Sequence, residues 1–503
     1  MANPDLVRTK NQLEDLADAL FNDIKSSGST LVSRYIREIK DRVMFIGGRK
    51  SSFNFTDSET NKEDMNQGIY SAIQVDDLRP DNLAEVGVAR DLNRHRFHFV
   101  PKGIALPNGR EVHFESIPSG IEMYDQELQQ FSKDHPNVRL SRILDVTQQV
   151  IVNSKGGVAI QSIPFFNIIY HQGYEPIPTA RQLSVVCNSE EELRKIPSII
   201  RYIADPTPSK KIKNAKSLSE AFHELNLISG LKHGTLEEAG IPLSELYDVV
   251  MLTGVPIHEI FGHHFEEPIR LLEFGESGTF KYGQSISNKN ITIADNPHQR
   301  IEGLRVLGFT HFDAYGRKRE RRVHVENGQV KEFLGGEYAD PEKMKNFLNL
   351  EKSHFVGNSS QHLDGYFPQP RMSCTTLDGK TENVDLEGKI LLVPHEGHTN
   401  SVDKTYFVKS SECYVVRNGV PRRIIPLQVT GGINQALANL ILLNDTSYQT
   451  GECGKPEPLY YPNSRGSASV PVSQFTKSQM WKGQQVYPVP ISDVHLRILH
   501  KKK

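Results

Sequence analysis

His258-Glu259-Ile260-Phe261-Gly262-His263-His264-Phe265-Glu266 decides how the rest of this chain is read. Two histidines enclose a glutamate in the order H-E-x-x-x-H, one residue longer than the helical metal-binding pattern H-E-x-x-H. The added residue changes the geometry. On an ideal α-helix, residues four apart sit about 40° apart around the axis, but residues five apart sit about 140° apart and cannot reach one ion. A π-type turn of about 4.4 residues brings them back to about 50°, and such turns are rare and concentrate at functional sites. Gly262 eases the distortion. The spacing therefore predicts a wide turn over Ile260 to Gly262, with His258 and His263 facing one ion.

Zinc suits this arrangement, because it takes two imidazoles and a third protein ligand and leaves a fourth position to water. Bound water is acidified toward a pKa of about 7. Glu259 is placed to take its proton as general base during attack on a peptide carbonyl and to pass it to the leaving amine. The residues alone leave the third ligand open, and Glu266 and Glu267 both offer carboxylates. They also admit a plainer reading, in which the histidines only pack or solvate a helix. His264 is either a support to the site or an exposed neighbour.

Upstream of the motif, Tyr247-Asp248-Val249-Val250-Met251-Leu252 is a short apolar run. Gly254 and Pro256 then start the helix, since proline is tolerated in a first turn. Ser217 to Leu231 reads as a helix, and Ser189 with Glu192 reads as a capping box before a helix to about Ile203. Residues 140–187 read as strands rich in β-formers, among them Ile151-Val152, Val158 to Ile160, Phe165 to Tyr170 and Leu183 to Val186. Residues 45–115 show little pattern beyond a hairpin turn at Pro107-Asn108-Gly109. At the start, Leu13, Leu16, Leu20 and Ile24 recur at helical spacing until Ser26-Ser27-Gly28.

Downstream, the pattern after residue 300 is mainly β. Val323 to Val325 and Val330 to Leu334 flank Glu326-Asn327-Gly328-Gln329, and Tyr414 to Val416 and Val420 to Ile425 flank Arg417-Asn418-Gly419. Both are strand–NG–strand units. An apolar helix over Ile433 to Leu443 is expected after Gly431-Gly432.

The whole chain of 503 residues, with 37% hydrophobic and 24% charged residues, reads as globular and multidomain. Its 59 Lys and Arg nearly balance its 61 Asp and Glu, which offers no bulk attraction to nucleic acid or an anionic membrane. The basic stretches Lys210 to Lys213 and Lys501 to Lys503 read as solvated loop and tail. Cys187, Cys374, Cys413 and Cys453 are widely separated, form no CxxC pair and fit a reducing cytoplasm. No run of about 18 apolar residues and no signal-peptide core is found, so no membrane span is expected.

At several separated points the chain resembles the TldD/PmbA family of metallopeptidases. Leu252 to Glu266 resembles its metal helix. Ile151-Val152-Asn153-Ser154-Lys155-Gly156 resembles its V-N-S-x-G turn, and Arg371-Met372-Ser373-Cys374-Thr375 its R-M-S/T-N-T segment. Ser401-Val402-Asp403 to Phe407, followed by Cys413 to Gly419, resembles its V-D-x-x-T-G-D-F stretch and the strand after it. Gly451-Glu452-Cys453-Gly454-Lys455 resembles its late C-G-K segment. The order is also that of the family, and the resemblance runs over about 145–460. It departs at Glu396-Gly397-His398-Thr399-Asn400, where a glycine pair is usual, and at Tyr460 to Gly466, where a glycine-rich pattern is usual.

The resemblance implies that His258 and His263 hold zinc, that Glu259 is the base, and that Cys453 is the third ligand. A thiolate between glycines agrees with that role, while Cys187, Cys374 and Cys413 read as buried structural residues. His395 and His398 read as loop histidines that could meet substrate. The implied fold is α+β, an α/β N-terminal domain over 1–240 followed by a β-rich C-terminal domain over 241–503 that carries the metal helix. The implied function is hydrolysis of small or unfolded peptides in an enclosed site, by a homodimer or a heterodimer with a family paralogue. Two other classes are a non-hydrolytic scaffold subunit, which would have no need of Glu259, and a metal-dependent amide hydrolase of a small molecule.

Overall fold

The computed structural model describes residues 8–64, 69–76, 90–96, 108–172, 179–204, 216–229, 234–266, 280–287, 289–334, 355–356, 359–360, 369–400, 404–438, 440–456 and 467–489. The fold is α+β, with few helices laid on two large sheets. The first sheet is a long antiparallel meander. Its centre is the hairpin Val138–Asn153 and Val158–Gln172, joined on one side by Leu31–Ile46 and Arg49–Asp64 and on the other by Thr179–Val186. The turn of that hairpin is the V-N-S-x-G segment. Asn153 Oδ1 accepts from the backbone N–H of Lys155 at 2.9 Å and of Gly157 at 3.1 Å, and Gly156 takes the positive φ of 86° that such a turn needs.

The expected first helix is present as Lys10–Ser27 and ends at Gly28 in the left-handed conformation. Its Leu13, Ala17, Leu20 and Ile24 face Val150, Val152, Val158 and Ile160 of the sheet. Thr9 and Gln12 cap its start in a reciprocal pair. Helices Asp125–Asp134, Ile196–Ala204 and Leu218–Ser229 pack with a second cluster built on Leu140, Phe166, Ile168, Leu183 and Val185. Arg300–Ile301 and Leu304–Val306, from the second half of the chain, extend the sheet beyond Thr179–Val186.

The second sheet closes on itself. Leu246–Met251 pairs with Ile390–Asn400, which pairs with Thr405–Arg417, then Leu427–Gly432, then Ser467–Pro488, and Ser467–Pro488 pairs back to Leu246–Met251. Closure leaves these five strands without a common free edge. Trp481, Tyr406, Val408, Val429 and Val486 form one cluster with Ile257, Phe261 and Phe265 of the motif helix. Ile441–Pro456, Cys374–Gly379 and Ile291–Asp295 are added around Ser467–Pro488. The two sheets meet at Ile441–Pro456. Tyr448 donates its hydroxyl to Ser184 O and accepts from Leu307 N, Thr450 Oγ1 donates to Gln182 O, and Arg181 pairs with buried Glu412 at 2.7 Å.

Several expectations need correction. The helix after Ser189 is two pieces, Glu190–Leu193 and Ile196–Ala204. Pro197 lacks an N–H and restarts the helix instead of continuing it. Ser189 Oγ caps Glu192 N as expected, but the Glu192 carboxylate reaches Asn188 N. The late helix stops at Ala438, and Ile441 to Leu443 are strand. A short apolar run fits either state, and pairing of Ile441 with Met480 and Leu442 with Gln479 decides it. Both NG hairpins are present, with Asn327, Gly328, Asn418 and Gly419 all at positive φ. Pro107, Lys210 to Lys213, Glu267, Ser401 to Asp403, Tyr460 to Gly466 and Lys501 to Lys503 lie outside the described residues. The strand after Pro107, Arg110–Phe114, runs parallel to Val158–Ser162.

Candidate metal centre

The motif helix starts where the chain leaves Leu246–Met251. Gly254 lies so close to the neighbouring strand that a Cβ there would come within 2.5 Å of Gln474 Cβ. Its carbonyl accepts from both Ile257 N and His258 N. From Ile257 to Gly262 the helix is a π-helix, and it returns to α over His263–Glu266. The wide turn predicted from the five-residue histidine spacing is therefore present. Gly262 sits above Met372, whose sulfur a Cβ would approach to 3.0 Å.

The turn brings His258, Glu259 and His263 together with Cys453, 190 residues away on Ile441–Pro456. One donor atom from each of the four lies within 4.8 Å of the others. Cys453 Sγ is 3.3 Å from His263 Nε2, and the two histidine rings are 5.5 Å apart at 78°. Glu259 Oε2 is 3.4 Å from His263 Nε2. His258 is fully buried. Its Nδ1 is 2.7 Å from Thr375 Oγ1. Its Nε2 is buried without a hydrogen bond of normal length, and its contact is the Cys453 sulfur, which acts on it by charge and as a long hydrogen bond.

These residues fit a tetrahedral ion. Zinc–nitrogen and zinc–sulfur bond lengths put neighbouring ligand atoms of a tetrahedron about 3.3–3.6 Å apart, close to the Cys453–His263 separation. An imidazole nitrogen buried without a normal hydrogen bond is costly unless something binds it. The charges agree. Burial works against the Cys453 thiolate, but His263, Arg371 and His258 outweigh it and bring the thiol down to about 6. Burial likewise opposes the Glu259 carboxylate, but its hydrogen bond to His263 and the nearby histidines hold it below the usual carboxylate range. Burial also opposes charge on His258, and the Cys453 thiolate overrides it and raises the ring.

The other singled-out residues take different places. Glu266 is buried and accepts from the backbone N–H of Met372, and it is not among the four grouped donors. His264 is buried, 3% exposed, with its ring against Phe280, so it is no exposed neighbour. His398 is exposed beside Glu396 and Phe407. His395 is half-buried on the same strand. Cys187, Cys374 and Cys413 are buried and form no disulfide. Between His395 and His398, Gly397 crosses directly over Glu259, where a Cβ would come within 3.0 Å of Glu259 Cβ.

Sequence reasoning assigned no role to Arg371, Thr375 and Asp295. Arg371 Nη1 donates to Cys453 Sγ at 3.3 Å, and Thr375 meets His258. Asp295 accepts from Ser373 N, Ser373 Oγ and Cys374 N at 2.8, 2.9 and 3.1 Å. An arginine and two hydroxyl residues inside one five-residue segment were the available signal.

Residues 247–476 match the family model for the PmbA/TldA metallopeptidase C-terminal domain. The chain is 28% identical over 246 residues to a protein of Archaeoglobus fulgidus named Metalloprotease. That alignment covers 47% of this chain and spans about half, 54%, of the relative. Among solved structures, TldE from Thermococcus kodakarensis is similar at a TM-score of 0.56 and 11% identity, over 93% of this chain and 99% of that one. A protein of Bacteroides thetaiotaomicron described as a modulator of DNA gyrase aligns at 0.57 and 13% identity, over 96% and 100%. A Thermotoga maritima protein with a similar description aligns at 0.54 and 15%, over 95% and 100%. At these identities the structures show the shared fold.

Proposed function

We propose that this chain, whose residues 247–476 match the PmbA/TldA metallopeptidase C-terminal domain, is a zinc-dependent peptidase of the TldD/PmbA family that hydrolyses small or unfolded peptides. The observation that carries the reading is the convergence of His258, Glu259, His263 and Cys453 at one point, with one donor atom from each within 4.8 Å of the others. His258, His263 and Cys453 would hold the ion. When bound, zinc supplies a Lewis acid that polarises a carbonyl and makes water acidic near neutral pH.

The rest is the work of the chain's own groups. Glu259 is held as a carboxylate, and it accepts a proton from the attacking water and hands it to the departing amide nitrogen as the C–N bond breaks. Glu259 Oε2 lies 3.4 Å from His263 Nε2, which places the base directly beside a ligand nitrogen. Ile390–Asn400 offers a surface for an extended peptide. Its described pairing with Leu246–Met251 ends at Leu392, whereas its pairing with Thr405–Arg417 continues through Gly397, His398 and Thr399. A peptide backbone laid beside Gly397 would pass over Glu259, and recognition through backbone hydrogen bonds tolerates many side chains.

The family resemblance supports a homodimer or a heterodimer with a paralogue, and the four widely separated cysteines fit a reducing cytoplasm. No helix among the described residues is long and apolar enough to cross a membrane. The test is cleavage of a panel of unstructured peptides and small amides by zinc-loaded protein, with Glu259→Gln as control. Cleavage of the peptides, lost in Glu259→Gln, supports the reading. Cleavage of small amides alone, or equal activity in the variant, overturns it.

A further inference from the structure

Resting on the metal site proposed above, the geometry points to Arg371–Thr375 as a brace that presets the zinc ligands, with Arg371 and Thr375 as positioning residues and Asp295 as their anchor.

The two ends of the segment reach two different ligands. At one end, Arg371 is fully buried and its guanidinium donates to the Cys453 sulfur at 3.3 Å. The guanidinium gives the buried sulfur a charge-assisted hydrogen bond and fixes where it sits, so the sulfur is already placed for an ion. At the other end, Thr375 Oγ1 lies 2.7 Å from His258 Nδ1 and 3.9 Å from Met372 Sδ. The Thr375 hydroxyl can give its own hydrogen to the Met372 sulfur, which only accepts. When Nε2 is given to an ion, Nδ1 keeps the proton and donates it to the Thr375 oxygen, which holds the ring in place on the Cys453 side of the site.

The middle of the segment cannot drift. Asp295 is fully buried and takes three donors from Ser373 and Cys374. Met372 N is tied to Glu266, one turn beyond the histidines, and the Met372 sulfur fills the space left by Gly262. Cys374–Gly379 is in turn paired with Ile291–Asp295 on one side and Ser467–Pro488 on the other. One short run therefore holds the ring of one ligand and the sulfur of another in place.

The experiment compares the full-length parent chain with Thr375→Val, Thr375→Ser and Arg371→Met. It measures zinc affinity by competition with a chromophoric chelator, the thiolate-to-cobalt absorption of the cobalt(II) form, and the near-UV circular dichroism of each. Loss of such supporting partners weakens metal binding by about 10–100-fold. Thr375→Val and Arg371→Met should each show a loss of that order. Thr375→Ser should stay close to the parent, and Arg371→Met should shift the thiolate-to-cobalt band. If Arg371→Met does not fold, Arg371→Lys replaces it, and loss of affinity with charge kept is the expected result. Parent-like affinity and an unshifted band in natively folded Thr375→Val and Arg371→Met overturn the brace while leaving the metal site standing. A parent that binds neither zinc nor cobalt overturns the metal site and the brace together.

Discussion

Gly397 passes so close to Glu259 that a methyl group on it would sit 3.0 Å from the Glu259 Cβ. The strand meets the motif helix at the residue proposed as the general base. Gly397→Val should therefore push the Glu259 side chain aside and lower kcat/KM for peptides by about 10²-fold, the scale on which small misplacements act. Zinc content should stay at the parent level, because no metal ligand is touched. Unchanged kinetics in a folded variant would separate Gly397 from the reaction.

Glu259→Gln removes the acceptor but keeps the shape. General base contributions run to about 10²–10⁴-fold, and a loss of kcat in that range with full zinc is expected. Steady-state kinetics with metal analysis on the same sample checks it. Simultaneous loss of zinc would instead make Glu259 a ligand.

The wide turn was legible in the sequence because of the spacing: two histidines five positions apart do not face one point on an α-helix. The supporting residues were not. Thr375 meets His258 across 117 positions, and that register comes from the pairing of Cys374–Gly379 with Ile291–Asp295 and Ser467–Pro488, which periodicity does not encode. The strands Leu31–Ile46 and Arg49–Asp64 were hidden for another reason. They carry many charged residues, as in Arg37-Glu38-Ile39-Lys40-Asp41-Arg42, and read as polar rather than as strand. Ile441 to Leu443 went to the wrong state because three apolar residues after a helix look like more helix.

Asp125 gives a stability prediction with a defined sign. It is 10% exposed and binds Arg142, 1% exposed, at 2.6 Å and Lys50 at 2.7 Å. Burial opposes its charge, but these two cations hold its carboxyl below the ordinary range. Its contribution is complete above the unfolded value of about 3.9 and is lost as pH falls through the lower folded value. Removing one partner of a buried pair costs about 3–5 kcal/mol. Asp125→Asn should cost that order at pH 7 and clearly less in strong acid, as read by urea unfolding at both pH values. An equal difference at both would contradict the assignment.

Chelation should act on stability as well as activity. An ion that binds the native site raises the melting temperature by mass action. Metal-stripped protein should melt lower than zinc-loaded protein, and the difference should disappear in His258→Ala. A gap that persists in that variant would place the stabilising ion elsewhere.

The central claim is that His258, His263 and Cys453 hold one zinc ion, and metal analysis by mass spectrometry tests it most directly. The parent and Cys453→Ala are purified without added metal, and zinc per chain is measured. About one zinc per parent chain, with marked loss in Cys453→Ala, is the predicted result. Full zinc in Cys453→Ala would contradict the thiolate ligand, and no zinc in the parent even after it is supplied would contradict the site as a whole.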